Sequence, residues 1–526
     1  MAWSDQRDLH TFVTRGGLIV LALGSALYLV ALDRYPVVLG GDEAHFAVHA
    51  ESIARTGRDL NGTLLPLFVN ITDPTVPNHS SGIWYQPVLF YVMAPFIAAL
   101  GISEWAARLP VALAAIADIW LVYAIGYRLL RSRSGAIAAG LLLALTPAHI
   151  IVGRQALDYI APLPFVLIWF LGLLRFLDGG RLRDLVIGSL ALGAGLFSYI
   201  AAWILMPLYF LLGMAAIWRS RLPTATRAIA ASAAAFALPL AGLAAAVASS
   251  PAMLANTLTR YALPGGGAEQ PGLIDRVTLY WDYFNPSFLF FAGGANPTQA
   301  TGATGVFLMA VLPLLLAGVR EIVRRRDDRW SMVLVALLMA PVPIAVTMPP
   351  AAAYSIARVM TLLPFAVLVA ALGLSSLQTG PWQRAIAAAL LLSIPWQFAG
   401  FLNDYRGDYQ LRAGPRLDPM HAEAVAAAVI NHGQDRAPAI YLSHMLDDGG
   451  VRWRFVMVKR SRPDLLARTR QINLMDVLPA IEPGALIICY ANDAKTPALV
   501  RDGYRVVATV SSVSGDPATV VLKAPG

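Results

Sequence analysis

Charge is scarce in this chain. Only 14% of its residues are Asp, Glu, Lys or Arg, against roughly 25% in soluble domains. Hydrophobic residues make up 57%, and long apolar runs recur from Gly17 to Gly400. This excludes a soluble globular protein over most of the length and indicates an integral membrane protein. Cysteine is nearly absent. The single Cys489 excludes an intramolecular disulfide framework and a cysteine-based metal site. No internal repeat is evident. The first apolar run has no small-residue cleavage site after it, so it is read as an uncleaved anchor and not a signal peptide. The net charge of +8 is not a nucleic-acid signal, because the arginines fall mainly between apolar runs, where they set topology.

What is present is a series of about eleven apolar spans, near 17–33, 104–130, 135–152, 161–177, 184–199, 201–218, 227–248, 304–320, 330–347, 358–376 and 383–400. The apolar segment 84–100 carries Tyr85, Gln86, Pro87 and Pro95. If it crosses, every later arginine-rich loop lies outside; if it rests in the interface, those loops lie inside, as the positive-inside bias prefers. It is therefore read as an interfacial helix within one long external loop, 34–103. A second long external loop covers 249–303. The odd number of spans puts the N-terminus in the cytoplasm and the C-terminus outside. From residue 401 onward the composition becomes soluble in character, predicting a small external α/β domain, 401–526, with a helix at 419–432 and strands at 438–443, 485–490, 504–510 and 518–523. The preceding 1–400 form the membrane domain. Asp447-Asp448-Gly449-Gly450 reads as a turn, ahead of a weak cation site.

Three external stretches then offer chemistry. Asp42 and Glu43 stand side by side about ten residues past the first span, ahead of a helix-like stretch. An acid pair at a membrane exit is expensive unless water, a cation or a polar substrate meets it. The plain alternative makes Asp42 the N-cap of that helix. Arg154 and Asp158 are four apart and share a helix face if that turn is helical, where they form either a site or an ion pair. Arg358 lies outside, so topology sorting does not explain it. It suits a phosphate or carboxylate, or it snorkels at the interface. Acids for proton transfer or metal binding, with arginines for an anion, describe a phosphoryl-linked group-transfer site. His45 and His49 have the spacing of a two-histidine metal face, but no further ligand set accompanies them. His79, with Tyr85 and Gln86, is the better candidate for substrate contact.

In this order the residues resemble the GT-C class of membrane glycosyltransferases, in the group that joins protein O-mannosyltransferases and the aminoarabinose transferase of lipid A (glycosyltransferase family 39-like). The resemblance rests on Gly41-Asp42-Glu43-Ala44, on Tyr85-Gln86-Pro87-Val88-Leu89-Phe90-Tyr91, and on Gly101-Ile102-Ser103-Glu104-Trp105-Ala106-Ala107-Arg108-Leu109-Pro110. It also rests on Arg154 with Asp158, on Tyr283-Phe284-Asn285-Pro286-Ser287-Phe288-Leu289-Phe290-Phe291, and on Arg358 with Pro364. It covers about residues 15–400. One departure matters. The lipid A transferase has an acid and a lysine where this chain has Tyr85 and Gln86, so lipid A is not implied as the acceptor.

The resemblance implies a polytopic, mainly α-helical GT-C fold in a bacterial inner membrane, with a periplasmic active site. It implies an inverting enzyme that moves a sugar from a polyprenyl-phosphate donor to a hydroxyl of a lipid, glycan or protein. Asp42 would be the general base. Glu43 and Asp158 would position the acceptor or a divalent cation, Mg or Mn, whose participation is left open. Arg154 and Arg358 would hold the departing phosphate, and Tyr283 and Asn285 fall in a substrate loop. Two other readings are a transporter or flippase for a lipid-linked sugar, disfavoured by the missing repeat, and a non-catalytic membrane assembly protein.

Overall fold

The computed structural model describes residues 15–72, 82–261, 272–347, 354–447, 450–476, 478–512 and 515–526. His79 and Asp448 lie outside the described residues. The chain divides into two units. One comprises Met1–Val30, Trp84–Leu89 and Val111–Tyr405; the other comprises Ala31–Ile83, Phe90–Pro110 and Arg406–Gly526. The acidic stretch at residue 42 and the C-terminal region thus belong to the same unit.

The first unit is helical. Six helices among the described residues are long and apolar enough to cross a membrane: Glu104–Leu130, Asp158–Gly179, Ala202–Arg219, Ala225–Ser249, Asp328–Thr347 and Pro381–Arg406. The pair Arg133–Ala144 and Pro147–Gly153, bent by 59°, makes a seventh if it is one broken span. The other four expected spans are also helices, but shorter: Arg15–Leu29, Leu182–Ala194, Val311–Arg325 and Leu362–Ser376. At 1.5 Å per residue the described length of each is only about 20 Å, less than the roughly 30 Å hydrocarbon core. The sequence overestimated them because their apolar runs continue into turns, such as Gly195–Phe197 after Leu182–Ala194. The segment expected at the interface is the thirteen-residue helix Val88–Leu100.

Small residues set the closest packing. Helices Val311–Arg325 and Leu362–Ser376 cross where a Cβ on Gly318 would lie 2.0 Å from the carbonyl oxygen of Val369, and one on Gly373 would lie 1.9 Å from that of Leu314. Only glycine permits backbones this near, the usual means of tight helix association in lipid. Trp169, Phe170, Tyr209 and Phe365 fill the neighbouring core, with ring centroids 5.5 to 5.9 Å apart. Three polar groups are sealed inside the same unit. Tyr28 Oη is 2.5 Å from His149 Nδ1, and His149 Nε2 is 3.7 Å from Asp118 Oδ2.

The second unit carries a five-stranded sheet. Its strands are β1 (Ile440–Ser443), β2 (Thr469–Ile472), β3 (Leu486–Tyr490), β4 (Arg505–Ser511) and β5 (Pro517–Lys523), in the order β2-β1-β3-β5-β4. β1 is parallel to both β2 and β3, and β5 is antiparallel to β3 and β4. Tyr441, Ile487, Cys489 and Leu522 pack on one face. Four strands and the helix Ala422–Asn431 match the apolar runs seen in sequence. β2 does not, because Thr469-Arg470-Gln471-Ile472 is a short edge strand with polar side chains, a common way of protecting an edge. Asp447 is a helix-start acceptor. Its Oδ2 takes the backbone N–H of Trp453 at 2.9 Å, and its Oδ1 takes that of Arg452 at 3.3 Å.

Candidate active site

Asp42 and Glu43 begin the helix Gly41–Thr56, and their environments are opposite. The N-cap is Gly40, in an extended conformation, so Asp42 is not the cap. The cap interaction belongs to Glu43, whose Oε2 accepts from the Gly40 backbone N–H at 2.8 Å. Glu43 is 1% exposed. Arg108, itself fully buried, donates Nε to Glu43 Oε1 at 3.0 Å and Nη2 to Oε2 at 3.3 Å. Its remaining donors reach the carbonyls of Leu32 and Pro36 from Nη1 and Val38 from Nη2. All five N–H groups of the guanidinium are accounted for, and the loop 32–38 is wrapped around one cation. Asp42, by contrast, is exposed. Gly41 leaves room for Arg452, since a Cβ there would lie 2.7 Å from Arg452 Nη2. Arg452 is held in turn by Asp447, 3.3 Å away, and by the carbonyl of Leu417.

In the sequence Arg108 stands within the Gly101–Pro110 motif, with no role assigned to it. The signal was available, because an arginine in the first turns of a long apolar helix needs an acid. His45 and His49 follow on the same helix, ring centroids 6.4 Å apart. Burial, with the positive charges of His45 and Arg454, pushes His49 down to about 3, so it is neutral. Among the described residues no group of three or more His, Cys, Asp or Glu side chains is placed to hold a metal ion.

The other predicted residues that the structure describes lie in the first unit. Arg154 and Asp158 do not share a helix face. The helix Pro147–Gly153 ends at Arg154, and Asp158 starts a separate 3-10 turn, Asp158–Ile160. Leu157, in an extended conformation, breaks the helical path just before Asp158. Arg154 caps helix Arg15–Leu29, donating Nη1 to the Leu27 carbonyl at 2.7 Å and Nη2 to that of Val30 at 3.0 Å. A cation at a helix C-terminus is favourable both as hydrogen-bond donor and against the dipole.

The turn carrying Asp158 packs against a second 3-10 turn, Ile356–Arg358. The Arg358 guanidinium lies 5.4 Å from the centre of the Tyr261 ring, within cation–π range. Burial and the negative charge of Asp158 raise Tyr261, while Arg260 and Arg358 oppose them. Tyr283 is also raised by burial. Its hydroxyl accepts from the Ser355 backbone N–H at 3.0 Å and so fixes the segment leading into Arg358. Asn285 uses Oδ1 to accept from the Ser287 N–H at 2.9 Å, starting the π-helical turn Ser287–Phe291. Gln299 supports the same segment, accepting from Ser355 Oγ at 3.0 Å. Tyr261 and Gln299 were not singled out in the sequence, because an aromatic and an amide in a loop carry no spacing signal. Tyr85 is half-buried and Gln86 buried. The result is a buried acid and an arginine on abutting turns, ringed by tyrosines, which suits an anion needing positive charge and hydroxyl donors.

Residues 79–241 match the family described as dolichyl-phosphate-mannose-protein mannosyltransferase. In structure the chain is similar to ArnT from Cupriavidus metallidurans, crystallised with undecaprenyl phosphate, at 14% identity and a TM-score of 0.59, over 96% of this chain and 97% of that one. It is also similar to the oligosaccharyltransferase of Archaeoglobus fulgidus, solved with Zn and sulfate, at 12% identity and a TM-score of 0.52, over 88% of this chain and 62% of that one. No curated protein sequence matches. The chain has the GT-C fold.

Proposed function

We propose that this GT-C-fold membrane protein is an inverting glycosyltransferase, moving a sugar from a polyprenyl-phosphate donor to a hydroxyl at the external face of a bacterial plasma membrane. The observation that carries the reading is the division of labour at residues 42 and 43. Glu43 is sealed under Arg108, while Asp42 is presented to solvent by the helix that Glu43 caps. Likeness to a protein crystallised with undecaprenyl phosphate supports the donor class.

Asp42 is then the general base. It takes the proton of the acceptor hydroxyl as that oxygen bonds to the anomeric carbon. The bond from that carbon to the phosphate oxygen breaks with its electron pair, and the polyprenyl phosphate leaves carrying an added negative charge. Attack opposite the leaving group inverts the anomeric configuration. Arg358 stabilises the departing phosphate, and Asp158 orients Arg358 and the tyrosines around it. Glu43 is a positioning residue, acting through the helix start. Arg154 serves the donor site through its hold on helix Arg15–Leu29. Tyr85, Gln86, Tyr283 and Asn285 are assigned to substrate contact, and His79 keeps that role from the sequence alone. A divalent cation is an open addition to this scheme, decided by chelation and re-addition of Mg or Mn. Residues 401–526 form an external domain in this reading.

The test is transfer of labelled sugar by purified protein. Asp42→Asn should lose turnover by roughly 10²-fold or more while donor binding persists; full turnover in that variant rejects the assigned base. A carrier of lipid-linked sugar is the second reading, favoured by the acid–imidazole–phenol trio of Asp118, His149 and Tyr28 buried among apolar helices, since such groups mark proton relays in transporters. Sugar-lipid movement across vesicles by Asp42→Asn, with no product formed by the wild type, would favour it.

A further inference from the structure

The second unit holds a cavity of about 500 Å³ bounded by helix Gly41–Thr56, the loop after it, and residues 450–471. That volume is within the range of small-molecule sites. Its described lining includes Arg454, Arg470, His45 and His49 and no Asp or Glu. Arg470 is answered at the rim by Glu482, 2.8 Å away. Arg454 is half-buried, and among the described residues its guanidinium has no ion pair or hydrogen bond. His49 is neutral. Its Nδ1 accepts from the Leu60 backbone N–H at 3.5 Å, which leaves Nε2 carrying the proton as a donor. Gln471 contributes the reverse need, because its Oε1 is buried with no hydrogen-bond partner.

A cation without a counter-charge, an uncharged donor and an acceptor lacking a donor do not suit an apolar ligand. Nor do they call for a simple anion alone, which pairs Arg454 but offers no ring hydroxyl to Gln471. They suit a molecule with both an acid group and hydroxyls. We propose that this cavity binds a sugar bearing an acidic group, with Arg454 pairing the carboxylate or phosphate and Gln471 accepting from a ring hydroxyl. The proposal goes beyond the transfer reaction, and its test needs no donor lipid, so it stands or falls separately from the role of Asp42.

The full chain in detergent micelles is titrated calorimetrically with glucuronic acid, glucose 6-phosphate, glucose and inorganic phosphate. At least one sugar acid should bind about tenfold or more tightly than glucose, the order expected when one charge-assisted hydrogen bond is added. The arm that binds distinguishes a carboxylate from a phosphate. Arg454→Ala should remove that preference and Arg454→Lys should keep part of it. Gln471→Leu should weaken the sugar acid and leave inorganic phosphate unchanged. Glucose binding as tightly as both acids, inorganic phosphate binding as tightly as the sugar acids, or an Arg454→Ala protein of unchanged melting temperature and unchanged affinity would overturn the proposal.

Discussion

Arg108 meets Glu43 through two nitrogens, at 3.0 and 3.3 Å, with neither side chain exposed by more than 1%. A buried pair of this kind fixes geometry more than it adds stability, but removing one partner strands a charge. We predict that Glu43→Ala and Arg108→Ala each destabilise by about 3–5 kcal/mol. The double variant should cost less than the sum, since the two share one interaction. Thermal unfolding in detergent measures all three, and strictly additive losses would contradict the pairing.

Arg358 should act on the donor. Replacing it with Ala removes the cation beside Tyr261 and Asp158. We expect donor lipid to bind about tenfold or more weakly, the scale of one lost charge-assisted contact. Fluorescence titration with polyprenyl phosphate reads this. Unchanged affinity would remove the phosphate role from Arg358.

Arg154 tests a structural part against a catalytic one. Two of its nitrogens end on the carbonyls of Leu27 and Val30. Arg154→Met should lower stability by about 1–3 kcal/mol, the scale of hydrogen bonds to a charged group. A variant with wild-type melting behaviour but lost donor binding would reverse this assignment.

His49 predicts a pH dependence. Its folded value lies near 3, below the ordinary imidazole value of about 6.5. The unfolded chain therefore binds the proton more readily between these values. Stability from this residue is complete above about pH 6.5 and is lost as the pH falls towards 3. The wild type should lose more melting temperature between pH 7 and pH 5 than His49→Gln does. Parallel pH curves for the two proteins would show that His49 is not the titrating group.

Topology gives the last test. Reporter fusions after Arg133 and after Arg326 should both report cytoplasm, because the arginine-rich loops should face inward. An external signal at either point would invert the faces on which Asp158 and Arg358 are placed.

Much of the scaffold was legible. Each of the eleven apolar stretches falls on helix among the described residues, though one is a pair bent by 59° and four are shorter than a membrane span. The acids and arginines were also visible as residues. Their division of roles was not. Nothing in Asp42-Glu43 states which acid faces Arg108, because that depends on a contact 65 residues away. Arg154 and Asp158 stand four apart, yet a helix ends at the first of them. β2 was hidden by its polar edge position, and the Asp118–His149 contact by its setting inside apolar runs.

Arg358 stands just ahead of helix Leu362–Ser376, whose Gly373 lets the Leu314 carbonyl approach so closely. Two cylinders meshed that tightly have no room to slide, and any side chain at 318 or 373 would wedge them apart. The guanidinium is thereby mounted on a stiff post. In the proposed reaction the lipid head group comes to that post, so a substitution deep in the bundle, far from any reacting atom, should blunt turnover by letting the post lean.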